Sequence, residues 1–263
     1  MKLYDTLNKN YNLLQQQKPI ILNLTNSVTQ DFMANALLAL GASPIMSNDS
    51  DELEELIAIA SAININIGTL DANFAQLALK AVKLAKLKKI PIILDPVGAG
   101  ATKSRTNLAT LLAADANIIR GNASEIMAIA GNLSATAGVD SVHSSENAKA
   151  FAQNLAHKFN NTVVVTGKTD LIIDTHTITA NNFGAEIMTK ITGMGCSLTA
   201  VVAAFAAINS NYTQAALVAL TLYTMCAQNV ALQIKTPAKF KVEFIDNLYA
   251  PNWHFIQNNL IEC

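Results

Sequence analysis

The stretch "ITGMGCSLTA", residues 191–200, sets a Gly-x-Gly turn directly before a cysteine and an apolar run. Gly193 and Gly195 permit tight backbone geometry and close approach to a ligand. If a helix starts here, its first amide N–H groups lack intrahelical partners and attract an anion. Gly193, Met194 and Gly195 are therefore a candidate phosphate loop, with Cys196 beside it as a candidate catalytic group. A helix N-terminus can lower a thiol pKa, so Cys196 could accept a proton, though less readily at neutral pH than an aspartate. Whether it acts as a base or only positions an attacking hydroxyl is left open by the sequence. Two other stretches carry complementary groups. "LDPVGAGAT" (94–102) supplies Asp95 and a second Gly-rich loop able to cradle phosphate by backbone N–H groups. "RGNASEI" (120–126) supplies Arg120 and, three apart on one helix face, Asn122 and Glu125. Two carboxylates with phosphate oxygens and waters suit Mg²⁺. Arg120 adds a fixed positive charge for a polyphosphate. A phosphate cradle, a metal, a cation and a base are the parts that phosphoryl transfer needs. Neither loop has the G-x-x-x-x-G-K-[ST] spacing of a P-loop.

These groups need a frame, and the apolar pattern predicts one. "PIILNLT" (19–25), "SPIMS" (43–47), "AININIG" (62–68), "IPIILDP" (90–96), "ANIIRGN" (116–122) and "NTVVVTG" (161–167) read as strands. Between them, 29–41, 49–60 and 71–89 read as helices, the last with a solvated lysine-rich face. Strands alternating with helices imply a mostly parallel sheet with helices on both faces. Asn26, Asp95, Asn122 and Thr166 fall at or just past strand ends, where open α/β sheets bind ligands.

Length and composition narrow the remaining classes. A chain of 263 residues with net charge −1 suits a single α/β domain over 1–263 and carries no electrostatic footprint for nucleic acid. The N-terminal segment has no uninterrupted apolar core, so no secretory signal is expected. Cys196, Cys226 and Cys263 form no C-x-x-C pair, which argues against a disulfide framework or a zinc site and for a reducing cytoplasm. His143, His157, His176 and His254 have no ligand spacing. Between Lys190 and Lys235 there is no charged side chain, but "NSNYTQ" (209–214) divides the region. Two buried core helices are expected there rather than a membrane span.

Taken in order, "LTNSVT" (24–29), "GASPIM" (41–46), "DPVGAGAT" followed by Arg105-Thr106, "RGNASEI", "VVVTG" and "ITGMGC" resemble the hydroxyethylthiazole kinases of thiamine biosynthesis, within the ribokinase-like group. The resemblance runs from about residue 18 to about 250. It implies a three-layer α/β/α kinase. It also implies ATP- and Mg²⁺-dependent phosphorylation of the alcohol of 4-methyl-5-(2-hydroxyethyl)thiazole, and a homotrimer with sites between subunits. By position, Met46 resembles the thiazole-contacting methionine, with Asn26 in the same pocket. Gly193 falls where the substrate hydroxyl meets the Gly-rich turn; Arg120 and Thr166 fall where the family contacts ATP. Asp95 and Glu125 resemble the groups that hold Mg²⁺ through water, and Cys196 stands where sugar kinases carry a catalytic aspartate. The sequence departs from the family at Leu22 and Asn23, where a His-Cys pair is common, and at "TPAKF" (236–240). A kinase for another small alcohol, a thiol hydrolase using Cys196 with a histidine base, and a non-catalytic binding protein are the competing readings.

Overall fold

The computed structural model describes residues 2–131 and 144–260. Among them, eight strands form one sheet in the order β2-β1-β3-β4-β5-β6-β7-β8. The strands are β1 (Ile20–Leu24), β2 (Ser43–Met46), β3 (Ala62–Asn66), β4 (Ile92–Asp95), β5 (Ile118–Asn122), β6 (Thr162–Thr166), β7 (Asp170–Ile173) and β8 (Ile178–Asn181). β1 to β6 pair in parallel. β7 and β8 are added antiparallel, an edge hairpin the apolar pattern did not predict.

Side chains alternate between the two faces of a strand. Ile21, Ala62, Ile93, Ile118 and Val164 pack on one face against α1 (Leu3–Gln17), α2 (Gln30–Ala39), α8 (Met194–Ile208), α9 (Tyr212–Ala231), α10 (Pro237–Tyr249) and α11 (Trp253–Leu260). Leu22, Ile63, Leu94, Ile119 and Val165 pack on the other against α3 (Leu53–Ile59), α4 (Ala72–Lys88), α5 (Lys103–Ala113), α6 (Ala123–Ile129) and α7 (Ser145–Phe159). The result is the α/β/α sandwich expected from the alternating pattern.

The uncharged stretch forms α8 and α9, both in the core. α8 is buried over most of its circumference, as a helix apolar on all sides must be. Among the described residues, no helix is long and apolar enough to cross a membrane. Pro237, in the departing segment at 236–240, opens α10 at its first turn, where its missing N–H costs no hydrogen bond.

Alternation also decides where the polar residues go. Asn23, Asn64, Asn66, Asp95, Arg120 and Thr166 are in phase with Ile21, Ala62, Ile93, Ile118 and Val164. All six lie on the α8 face, most near the carboxyl ends of their strands. Neighbouring strands are in register there: Asn23 pairs with Asn64, Asn66 with Asp95, and Asn122 with Thr166.

Candidate active site

The site forms where this polar row meets the start of α8. Gly193 is the N-cap residue at φ 94°, in the left-handed region that favours glycine, and no side chain caps the helix. A Cβ at Gly193 would come within 3.0 Å of Thr29 Cγ2. The first amides of a 15-residue helix are thus left without a capping side chain above the sheet. The turn is anchored from below. The buried hydroxyl of Tyr223 on α9 donates to the Met194 carbonyl at 2.9 Å and lies 2.5 Å from Ser197 Oγ.

Arg120 lies across this helix start. Its Nη2 donates to Thr166 Oγ1 at 2.5 Å, and its Nη1 stands 3.9 Å from Asp95 Oδ2. Gly195 makes that position available: a Cβ there would meet Arg120 Nη1 at 2.7 Å.

Asp95 is fully buried. Its Oδ2 accepts from Asn66 Nδ2 and Thr199 Oγ1, each at 2.8 Å, whereas Oδ1 is buried without a partner. Burial pushes the carboxyl above its usual range, opposed by the Arg120 charge and those two hydrogen bonds. Glu125 sits close enough for the two charges to interact. Burial first and Asp95 second raise its carboxyl to about 7, against donation from the Gly98 and Asn122 amides. Those amides bind Oε1 at 2.9 Å and Oε2 at 2.8 Å. Asn122 and Glu125 do not share a helix face as the spacing suggested. Asn122 is the N-cap of α6, and the two form a reciprocal capping box. An unpartnered buried carboxylate oxygen beside a second carboxylate with spare lone pairs is a donor set that fits hydrated Mg²⁺.

Cys196 follows Gly195 in the first turn of α8. Its Sγ accepts from Asn26 Nδ2 at 3.5 Å, and that amide also donates to Asn66 Oδ1 at 3.0 Å. Thr29 Oγ1 donates to Asn26 Oδ1 at 3.0 Å, which fixes the amide's orientation. Cys196, Asn26, Asn66 and Asp95 therefore form one hydrogen-bonded chain. Within it, the thiol is not activated as the helix start suggested. Burial and the Asp95 charge raise its pKa to about 11, against the Asn66 and Asn26 hydrogen bonds and the Arg120 charge, so the proton stays on sulfur at neutral pH. Among the described residues, the hydrogen-bond partner of this thiol is an amide and not an imidazole, which leaves a Cys-His hydrolase without its base. His143 and Cys263 lie outside the described residues.

The second Gly-rich loop is not an open cradle. Gly98 N–H goes to Glu125, Ala99 to the Pro96 carbonyl, Gly100 to Thr106 Oγ1 and Ala101 to the Gly98 carbonyl. Four successive amides are spent inside the protein, so the loop buttresses Glu125. Arg105 holds it from the side, donating to the carbonyls of Val97, Ile67 and Gly68 at 2.9, 2.7 and 3.0 Å. Arg105 thus ties the loop after β4 to the loop after β3.

The structure brings Asn26, Asp95, Arg120, Glu125, Thr166, Gly193, Met194, Gly195 and Cys196 to one end of the sheet. Met46 ends the edge strand β2, where it pairs with Asn23 of β1. It lines a groove of about 870 Å³ together with Gln30, Ser47, Asp49, Glu52 and Lys80. Asn23, at the departure from the family pattern, is fully buried and accepts from Asn64 Nδ2 at 3.0 Å beneath the site. Sequence reasoning missed Asn66, Thr199 and Arg105. The signal for Asn66 was visible as a polar residue recurring every second position in a strand otherwise buried on both faces.

The sequence profile of the hydroxyethylthiazole kinase family matches residues 11–252. A hydroxyethylthiazole kinase of Chlamydia felis is 43% identical over 242 residues, 91% of this chain and 92% of that protein. A solved hydroxyethylthiazole kinase of Pyrococcus horikoshii superposes with a TM-score of 0.87 at 36% identity, covering 95% of each chain. A ribokinase-like superfamily protein of Enterococcus faecalis superposes with a TM-score of 0.63 at 15% identity, over 90% of this chain and 93% of that one. At that identity the likeness is one of fold.

Proposed function

The chain belongs to the hydroxyethylthiazole kinase family, and we propose that its site transfers the γ-phosphoryl group of ATP to the hydroxyl of 4-methyl-5-(2-hydroxyethyl)thiazole. The observation that carries this reading is the meeting of an uncapped helix start, a guanidinium and a buried carboxylate with a free oxygen at the carboxyl end of one sheet. Anion, cation and metal positions converge there, as phosphoryl transfer requires. A single domain over 1–263 carries the reaction in this reading.

Arg120 and Thr166 receive the polyphosphate, and the amides that follow Gly193 receive the transferring group. Asp95 and Glu125 would hold Mg²⁺, with water completing its shell, and the ion would offset charge on the phosphate oxygens. Asn26 and Met46 hold the thiazole, with the hydroxyl directed to Gly193. Cys196 keeps its proton and acts by position, its sulfur fixed by Asn26 beside the attacking oxygen. A loose transition state demands little early deprotonation of the alcohol, so a protonated thiol is compatible with turnover.

The sequence resemblance supports a homotrimer. Val28, 70% exposed in the loop after β1 beside Asn26, supplies apolar surface at the substrate end for such contacts. A cytoplasmic setting fits the unpaired thiols of Cys196 and Cys226.

The deciding experiment incubates the protein with the thiazole alcohol, ATP and Mg²⁺ and follows products by mass spectrometry. The phosphate ester, formed in step with ADP, is the expected result. ADP release without ester, or faster esterification of another small alcohol in a substrate panel, overturns the assignment.

A further inference from the structure

Asp170 is a buried carboxylate that the reaction described above does not use. It opens β7 immediately after the tight connection from Thr166, and it is 6% exposed. Its Oδ1 accepts from the Gly167 amide at 3.0 Å, and its Oδ2 from Asn181 Nδ2 at 3.2 Å. Asn181 lies on β8 and reaches Thr224 Oγ1 of α9 at 3.2 Å. Among the described residues no lysine or arginine forms a salt bridge with Asp170. A buried carboxylate held by neutral donors is costly to desolvate, so its retention calls for a use.

The surroundings indicate what that use is. The segment 167–169 reverses the chain between β6 and β7 at the end of the sheet where the site lies. It is clamped on three sides: by Asp170 through Gly167, by Ser145 Oγ of α7 donating to the Thr169 carbonyl, and by Thr169 Oγ1 donating to Asn182 Oδ1 at 2.7 Å. The residue delivered by this turn is Thr166, whose hydroxyl holds Arg120. The Arg120 charge is also close enough to favour the ionised form of Asp170, against burial that raises its carboxyl to about 6.

We propose that Asp170 is a positioning residue for the nucleotide: by holding the Gly167 amide and the Asn181 side chain together, it sets the turn that places Thr166, and through Thr166 the Arg120 guanidinium. The inference rests on the reading that Arg120 and Thr166 meet ATP. A purely structural carboxylate at the root of the edge hairpin would affect stability and leave the balance between the two substrates unchanged.

The test compares wild type, Asp170→Ala and the exchange variant Asp170→Asn/Asn181→Asp. Mg²⁺-ADP and the thiazole alcohol are titrated separately by calorimetry, and KM is measured for both substrates. Asp170→Ala is expected to weaken nucleotide binding about tenfold, the effect of one lost charge-assisted hydrogen bond. Alcohol binding should stay within about twofold, and the exchange variant, which restores an acceptor for Gly167 and a donor–acceptor pair with residue 181, should recover most of the nucleotide affinity. Unchanged nucleotide binding in Asp170→Ala, or equal weakening for both ligands, overturns the proposal. If Asp170→Ala does not fold, Asp170→Leu, which keeps the volume and removes both acceptors, is read by the same criteria. Wild type is assayed first: absence of ester formation there sinks the kinase reading, whereas normal wild-type turnover with an indifferent Asp170 variant sinks this inference alone.

Discussion

Gly195→Ala separates the folding role of the α8 start from its role in ATP binding. Gly195 lies in the first turn of α8 and is not among the glycines with positive φ, so an alanine adopts its backbone without strain. In a helix interior alanine is preferred to glycine by about 1 kcal/mol, and less is expected in the first turn. The added Cβ would stand 2.7 Å from Arg120 Nη1, 3.1 Å from Nη2 and 3.3 Å from Cζ. Ordinary contact begins near 3.5 Å, so the guanidinium must retreat by roughly 0.8 Å or more. Its 2.5 Å bond to Thr166 then lengthens or breaks. A hydrogen bond to a charged group contributes about 1.5–3 kcal/mol, which corresponds to roughly a 10- to 100-fold rise in KM for ATP. Arg120 moves as the end of a flexible side chain, so the fold itself loses little. The assay pairs a melting curve with initial rates at varied ATP and at varied alcohol. The expected outcome is an unchanged or slightly raised Tm, a raised KM for ATP and a nearly constant KM for the alcohol. An unchanged KM for ATP, or a loss of activity that follows a fall in Tm, would refute the reasoning.

Other outcomes follow from the same geometry. Cys196→Ala should lower turnover with little change in either KM, and Cys196→Asp should retain activity, since the Asn26 amide can donate to a carboxylate as it does to sulfur; full activity of Cys196→Ala between pH 6 and 9 would reduce Cys196 to packing. Glu125, raised by burial and by Asp95 to about 7, binds a proton more tightly when folded than unfolded, so its contribution to stability is lost as pH rises through 7. In EDTA the Tm should therefore be higher at pH 6 than at pH 8, by a contribution of about 1 kcal/mol, and Glu125→Gln should flatten the difference; a flat wild-type profile contradicts the assignment. Asp95→Ala should raise the Mg²⁺ concentration needed for half-maximal turnover, and an unshifted magnesium titration would remove Asp95 from the metal site.

Much of this arrangement was legible in the chain. The polar residues closing the apolar strands, Asn26, Asp95, Asn122 and Thr166, stand at the carboxyl end of the sheet because strand periodicity and parallel pairing leave them nowhere else. The Gly-x-Gly before Cys196 does start a long helix. What escaped was set by contacts distant in sequence. The amides of 98–101 looked free, yet Glu125 and Thr106 take two of them and the loop's own carbonyls the others. The helix start offered a way to lower the thiol pKa of Cys196, but burial and Asp95 of β4 raise it. The β7–β8 hairpin was missed because its edge strand β8, ITAN, is mostly exposed and carries no apolar run. Met46 stands in the right motif, but sequence alone could not show that it lines a groove with Gln30, Glu52 and Lys80.

The register of Asn66 with Asp95 has a consequence for how the sheet assembles. A slip of β4 by one residue would turn Asp95 toward the opposite layer, among apolar residues such as Ile63 and Leu77. There the carboxylate would lose Asn66 and Thr199, and an unpaired charge in such surroundings costs several kcal/mol. Arg120 on β5 would impose a similar penalty if its strand slipped, and the neutral amide of Asn64 on β3 a smaller one. The isoleucines and leucines alone could not enforce this, because both faces of the central strands are apolar and a displaced strand would still find grease on either side. The groups that perform the chemistry therefore also proofread the threading of the sheet, and a chain that has paired its strands wrongly is destabilised by its own active-site residues before it can persist as an inactive fold.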